Sequence, residues 1–223
     1  MLVFWDQNLV LLAVPKTGST ALEGALAPRA SMVLRDPPHL KHAPCYRYKR
    51  FLRPFFVQAG GKTPELMAIL RHPVSWLGSW YRYRNRDDLV GHENSTRGIS
   101  FDDFVVEYCK GDPAPFAAVG SQDKFLRIND GEIGVQHLFR YEAWDQVTAF
   151  LEHRLSLTLT LKQINVSPDM DLTLSDDVRA HLHHKRGAEF AIWQAGQGSP
   201  LPASSYFQKY SKKSGVSRQC HGP

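Results

Sequence analysis

Cysteine is scarce in this sequence, and its scarcity removes a first group of readings. Cys45, Cys109 and Cys220 are odd in number and far apart in the 223-residue chain. They match neither a secreted disulfide framework nor a paired zinc knuckle, and read as isolated thiols of a reducing compartment. Long apolar runs are also missing. Leu9 to Val14 is six residues, and Asp6 and Gln7 interrupt the apolar stretch before it. A membrane span wants about 20 such residues, and a signal peptide wants a basic start and a longer apolar core. A soluble cytoplasmic protein with no membrane partner is therefore expected. Sixteen Gly and fourteen Pro are near background, which excludes collagen-like and wholly disordered chains. There is no internal repeat. What remains is 43% hydrophobic and 22% charged residues, ordinary for a globular domain. A chain of this length buries about 70% of its unfolded surface and needs no disulfide or metal staple.

Charge is present but unevenly spread around a net of +5. Residues 35–62 hold seven basic side chains and one acid, Asp36. Residues 71–86 hold Arg71, Arg82, Arg84 and Arg86 and no acid, whereas residues 87–132 hold ten acids and four bases. From Ser199 onward there are four bases and no acid. Two basic blocks inside a mixed domain point to a site for an anionic ligand, not to a whole-surface nucleic-acid footprint.

Short apolar runs alternate with amphipathic stretches, which predicts an α/β fold: a central parallel sheet flanked by helices on both faces. Leu9–Val14 and Leu66–Leu70 are continuous apolar runs of strand length, as strands buried on both faces require. Helices are expected from Thr20 to Leu26, from Pro73 to about Asn85, and from Phe101, capped by Ser100, to about Lys110. Asn129-Asp130-Gly131 reads as a hairpin turn. Trp144, Val147, Leu151 and Leu155 recur at helical spacing, and Ser175 opens a last helix through about Trp193. The domain is placed at residues 1–195, followed by a basic tail at 196–223 expected to be flexible.

The sharpest motif is Val14-Pro15-Lys16-Thr17-Gly18-Ser19-Thr20, between a buried strand and a helix. A loop entering a helix N-terminus presents free backbone N–H groups and the positive end of the dipole to an anion. Gly18 permits close approach, Thr17, Ser19 and Thr20 offer hydroxyls, and Lys16 offers a point charge. The order is not that of a Walker A loop, because Lys16 precedes Gly18. The second motif runs from Leu70 to Tyr81. Arg71 stands at the carboxyl end of a strand, where open α/β sheets bind ligands. Ser79, two helical turns into the next helix, completes a clamp on one phosphate, and Ser75 and Gly78 read as packing residues.

Together these motifs resemble the signature pair of sulfotransferases that use 3′-phosphoadenosine-5′-phosphosulfate (PAPS). In that family a Pro-Lys-[Ser/Thr]-Gly-[Ser/Thr]-[Ser/Thr] loop holds the 5′-phosphosulfate. An Arg-x-Pro strand end, with Ser eight and Tyr ten residues later, holds the 3′-phosphate. Pro15 to Thr20 fits the first half, and Arg71, Pro73, Ser79 and Tyr81 fit the second. His72 stands where the family most often carries Asp. Phe139-Arg-Tyr-Glu142, Asn165-Val-Ser167 and the late helix ending at Trp193 resemble softly the later part of the small, carbohydrate-type members. The resemblance implies a P-loop-like phosphosulfate-binding loop made of Pro15, Lys16, Thr17, Gly18, Ser19 and Thr20. It also implies that Arg71 and Ser79 bind the 3′-phosphate, that 3′,5′-bisphosphoadenosine (PAP) is the product, and that a sugar or similar alcohol is the acceptor.

Sulfuryl transfer asks the protein to position two groups and to stabilise charge on a leaving phosphate, a task for Lys16. No metal-ligand spacing demands an ion, and His181, His183 and His184 read as a solvated helix face. The acceptor hydroxyl needs a base, which the family takes from a His or Glu often placed between the two motifs. The candidates are His42, with Lys41 beside it to keep the imidazole neutral, and His39; Asp36 and Glu65 are poorer. A P-loop kinase and a nucleotide- or polyanion-binding module without catalysis are the rival readings.

Overall fold

The computed structural model describes residues 1–128, 131–160, 170 and 172–196. Five strands form one sheet: β1 (Leu2–Phe4), β2 (Leu9–Leu11), β3 (Met32–Val33), β4 (Glu65–Leu70) and β5 (His137–Arg140), in the order β3-β1-β2-β4-β5. Strands β2, β4 and β5 are parallel, with Leu11 opposite Met67 and Leu70 opposite Arg140. Strand β1 is antiparallel to both β2 and β3, so the sheet is mixed and corrects the expectation of a parallel one. The physical reason is local. Asn8, with φ 53°, turns the chain back after Phe4, and the short apolar run ahead of Asp6 becomes a strand instead of a lead-in.

Helices cover both faces, as expected. Side chains alternate along each strand, so Leu2, Phe4, Leu9, Leu11, Met67, Ile69 and Phe139 face one layer. They pack on Leu22 and Leu26 of α1 (Ser19–Leu26) and on Val147, Leu151 and Leu155 further along the chain. Val3, Val10, Leu66, Ala68, Leu70 and Leu138 face the opposite layer. α2 (Pro38–Lys41) adds no buried residue to this layer, which is filled by Cys45 of α3 (Cys45–Arg47), Tyr48 of the π-helical turn at Tyr48–Leu52, Phe56 of α4 (Arg53–Gly60), and Phe125, Leu126 and Ile192 from later helices. α5 (Pro73–Arg84), α6 (Phe101–Tyr108) and α7 (Gln122–Leu126) follow. α8 (Trp144–Leu155) carries the apolar stripe read from its spacing. Ser100 caps α6 by accepting from the Asp103 N–H.

The last expected helix is two, α9 (Asp176–Lys185) and α10 (Gly187–Ala195), because Arg186 leaves the helical region at φ −123°. Phe190 and Ile192 of α10, two residues apart and so on opposite sides of the helix, are buried in different clusters. The Asn129-Asp130 corner lies outside the described residues, while its flanks Arg127 and Ile133 form an antiparallel bridge. Asn165-Val-Ser167 and residues 197–223 also lie outside. Among the described residues no helix is long and apolar enough to cross a membrane.

Candidate functional site

Because β2, β4 and β5 run the same way, the segments after Leu11, Leu70 and Arg140 leave from one edge of the sheet. Both motifs and the Tyr141–Trp144 segment meet there. Beyond β2 the chain stays extended, and the Leu12 N–H donates to Met67 O at 2.9 Å. It then turns sharply through two left-handed residues, Lys16 (φ 64°) and Gly18 (φ 77°). Between them Thr17 is buried and donates its hydroxyl to Val14 O at 2.9 Å, so this hydroxyl holds the loop. Gly18 caps α1 and offers no side chain to the first-turn N–H groups. A Cβ there would stand 2.7 Å from the Trp144 ring, so Gly18 is required by space as well as by φ.

The second motif is tied to the first. The Trp76 indole N–H of α5 donates to Pro15 O at 2.9 Å. Arg71 leaves β4 with its backbone clamped by the buried Gln122. The Arg71 N–H donates to Gln122 Oε1 at 2.9 Å, and Gln122 Nε2 donates to Arg71 O at 2.8 Å. The guanidinium lies 4.6 Å over the Tyr141 ring, and its Nε donates to Ser75 Oγ at 2.7 Å. Ser79 is buried in the next turn of α5. The hydroxyl that orients Arg71 therefore belongs to Ser75, which sequence reasoning had given to packing.

Lys16 projects across this edge, with Nζ 4.1 Å from the Tyr83 ring centroid and 5.6 Å from that of Trp80. Burial pulls its pKa from 10.5 down to about 8, and the charges of Arg86, Arg71 and Arg82 add to the fall. Neither Lys16 nor Arg71 forms an ion pair among the described residues. Arg86 is paired with Asp88 at 3.1 Å and Glu142 lies in the field of Arg71, so the charge left without an ion pair among the described residues is that of Lys16 and Arg71 themselves.

Beside it opens a cleft of about 290 Å³, lined by Val14, Pro15, His42, Trp76, Gln122 and Phe125 among others. His42 ends α2 with Nδ1 2.7 Å from Ala13 O. A carbonyl can only accept, so Nδ1 carries the proton and Nε2 keeps its lone pair, the tautomer a base needs. Burial is the main cause that lowers the imidazole pKa below its ordinary 6.5. Lys41 contributes in the direction expected of it, but much of its charge is spent on Glu23, 2.9 Å away. Its Nζ also reaches Thr20 Oγ1 at 3.5 Å. His39 is exposed on α2. Glu65 begins β4, at the opposite end of the strand from Arg71, and is bound to His137 at 2.9 Å and Arg154 at 2.5 Å.

Sequence reasoning missed the support beneath these residues. Glu142 accepts from the His72 N–H at 2.8 Å and from the Trp193 indole at 3.0 Å, pinning the β4 exit to α10. Tyr141 and Trp144 underlie Arg71 and Gly18. The signal was the Phe139-Arg-Tyr-Glu142 stretch, noted only as a soft resemblance. Among the described residues no group of three or more His, Cys, Asp or Glu comes together to hold a metal ion. Comparison with protein-family models, with curated proteins and with solved structures found no match, so any functional reading rests on this geometry and on the two motifs.

Proposed function

We propose that the protein is a sulfotransferase that moves a sulfuryl group from PAPS to an alcohol, in the manner the two motifs imply. The observation that carries the reading is the joining of motifs more than 50 residues apart. Trp76 bonds Pro15, and Lys16 stands within the field of Arg71, Arg82 and Arg86 with no carboxylate paired to it among the described residues. Such a cluster suits a ligand with two separate phosphate-like groups. The 5′-phosphosulfate would meet the α1 N-terminus, Lys16 and the Ser19 and Thr20 hydroxyls. The 3′-phosphate would meet Arg71, held by Ser75, with Ser79 as the further hydroxyl the motif supplies.

The alcohol would enter the cleft at His42. Its oxygen attacks sulfur as the bond from sulfur to the bridging phosphate oxygen breaks, and its proton passes to His42 Nε2. The products are the sulfate ester and PAP. Lys16, still mostly ionised at pH 7, and the helix N–H groups stabilise the negative charge that grows on the leaving phosphate. The test is transfer of labelled sulfate from PAPS to a panel of sugars and simple alcohols. The proposal expects transfer by the wild type and its loss in Lys16→Met; a folded wild type that transfers to none of them and does not bind PAP would refute it.

A further inference from the structure

The run from Cys45 to Gly60 is more exposed than its composition should allow. Only Cys45, Tyr48 and Phe56 are buried, a single narrow stripe against the sheet. Away from the stripe, Phe51 is 61% and Phe55 57% exposed, one turn apart and so on one face. Tyr46 and Val57 on the same run, and Leu40 just before it, are also large, apolar and exposed. The polar companions of this surface are cationic. From Pro37 to Pro64 the chain has no Asp or Glu, and on this face Arg47 and Arg50 are exposed beside the half-buried Lys49 and Arg53, whereas Lys41 is paired with Glu23 and Lys62 is bound to Trp5 O. The Arg50 guanidinium lies 5.3 Å over the Phe51 ring, and that of Arg47 5.8 Å over Tyr46.

From this juxtaposition we infer that the α3–α4 face docks on an anionic lipid surface, with Phe51 and Phe55 entering the headgroup layer and the guanidinium groups meeting lipid phosphates. A helical face that mixes exposed aromatic rings with Arg and Lys and excludes acids has the chemistry of an interfacial element, which lies in the membrane plane without crossing it. The composition alone had given no reason to expect such a partner. A soluble polyanion would use the cations but gains nothing from two exposed phenylalanines, and these rings decide between the two occupants. Tyr46 and Arg47 also line the cleft, so a docked molecule brings the cleft mouth to the membrane surface.

The test is flotation of the full chain with vesicles of phosphatidylcholine alone or with one quarter phosphatidylserine. Binding is expected to the anionic vesicles, to weaken with salt, and to be at least tenfold weaker on the neutral ones. Phe51→Ser/Phe55→Ser, at two exposed positions, should lower vesicle affinity at least tenfold while leaving the thermal midpoint and retention on a heparin column unchanged. Arg50→Gln should cost about fivefold, the value of one charge near such a surface. Absence of binding to the anionic vesicles overturns the inference. So does a double Phe variant that binds vesicles as the wild type does, for the face would then recognise polyanions by charge alone.

Discussion

Replacing Lys16 by Met should stabilise the free protein while it removes activity. Met keeps the unbranched stem and meets the same left-handed backbone at φ 64°, so the main change is loss of the ammonium. A fall in pKa from 10.5 to about 8 corresponds to roughly 3 kcal/mol held against the ionised form. Screening at the solvent-facing side reduces this to about 2 kcal/mol. Loss of the cation from the Tyr83 and Trp80 rings takes back about 0.5–1 kcal/mol. The net gain at pH 7 is about 1 kcal/mol, or about 2–4 °C in Tm for a chain of this size. The cost of the buried charge is complete below pH 8, where both states are protonated. Between 8 and 10.5 the unfolded chain holds the extra proton, so wild-type stability rises with pH and the advantage of the variant fades. Urea unfolding of both proteins at pH 7 and pH 10 measures this. PAP should reverse the ranking at pH 7, because the phosphate it brings compensates the wild-type ammonium. A variant less stable than wild type at pH 7, or an advantage that does not shrink by pH 10, would refute the electrostatic account of the loop.

Gly18→Ala should destabilise by about 1–3 kcal/mol and shift the tryptophan emission, since its Cβ must displace Trp144 and adopt a left-handed φ; urea unfolding followed by fluorescence checks both. Arg71→Ala should weaken PAP at least tenfold yet leave 5′-AMP nearly unaffected, and Ser75→Ala should weaken PAP about three- to tenfold by freeing the guanidinium, both read by calorimetry. His42→Ala should lower kcat about 10²–10⁴-fold with little change in PAP affinity, whereas His39→Ala should do far less. In the wild type the acid limb of kcat/KM should fall below pH 6.5, because burial keeps the His42 imidazole neutral to lower pH; a limb above 6.5 would exclude His42 as the base.

The parallel strands β2 and β4 were legible because they are buried on both faces and read as unbroken apolar runs. Strands β1 and β3 were not: three and two residues carry no period, and their pairing depends on the turn at Asn8. Helices α1, α5, α6 and α8 announced themselves by caps, prolines and spacing. The break at Arg186 did not, since either side alone satisfies a helical pattern. At the site the two motifs could be read because each is local. Gln122 on Arg71, Ala13 on His42, and Trp144 against Gly18 are long-range contacts between ordinary residues. Choosing Ser79 over Ser75 as the partner of Arg71 was a matter of side-chain direction within one helix, which spacing leaves open.

The central claim is that Lys16 and Arg71 together form one site for a nucleotide bearing phosphates at both ends of its ribose. Titration calorimetry of the wild type with PAP, ADP and ATP tests it most directly. The account predicts saturable one-to-one binding of PAP at least tenfold tighter than that of ADP or ATP, with the difference abolished in Arg71→Ala. Equal affinities for the three nucleotides, or a preference for ATP, would contradict it.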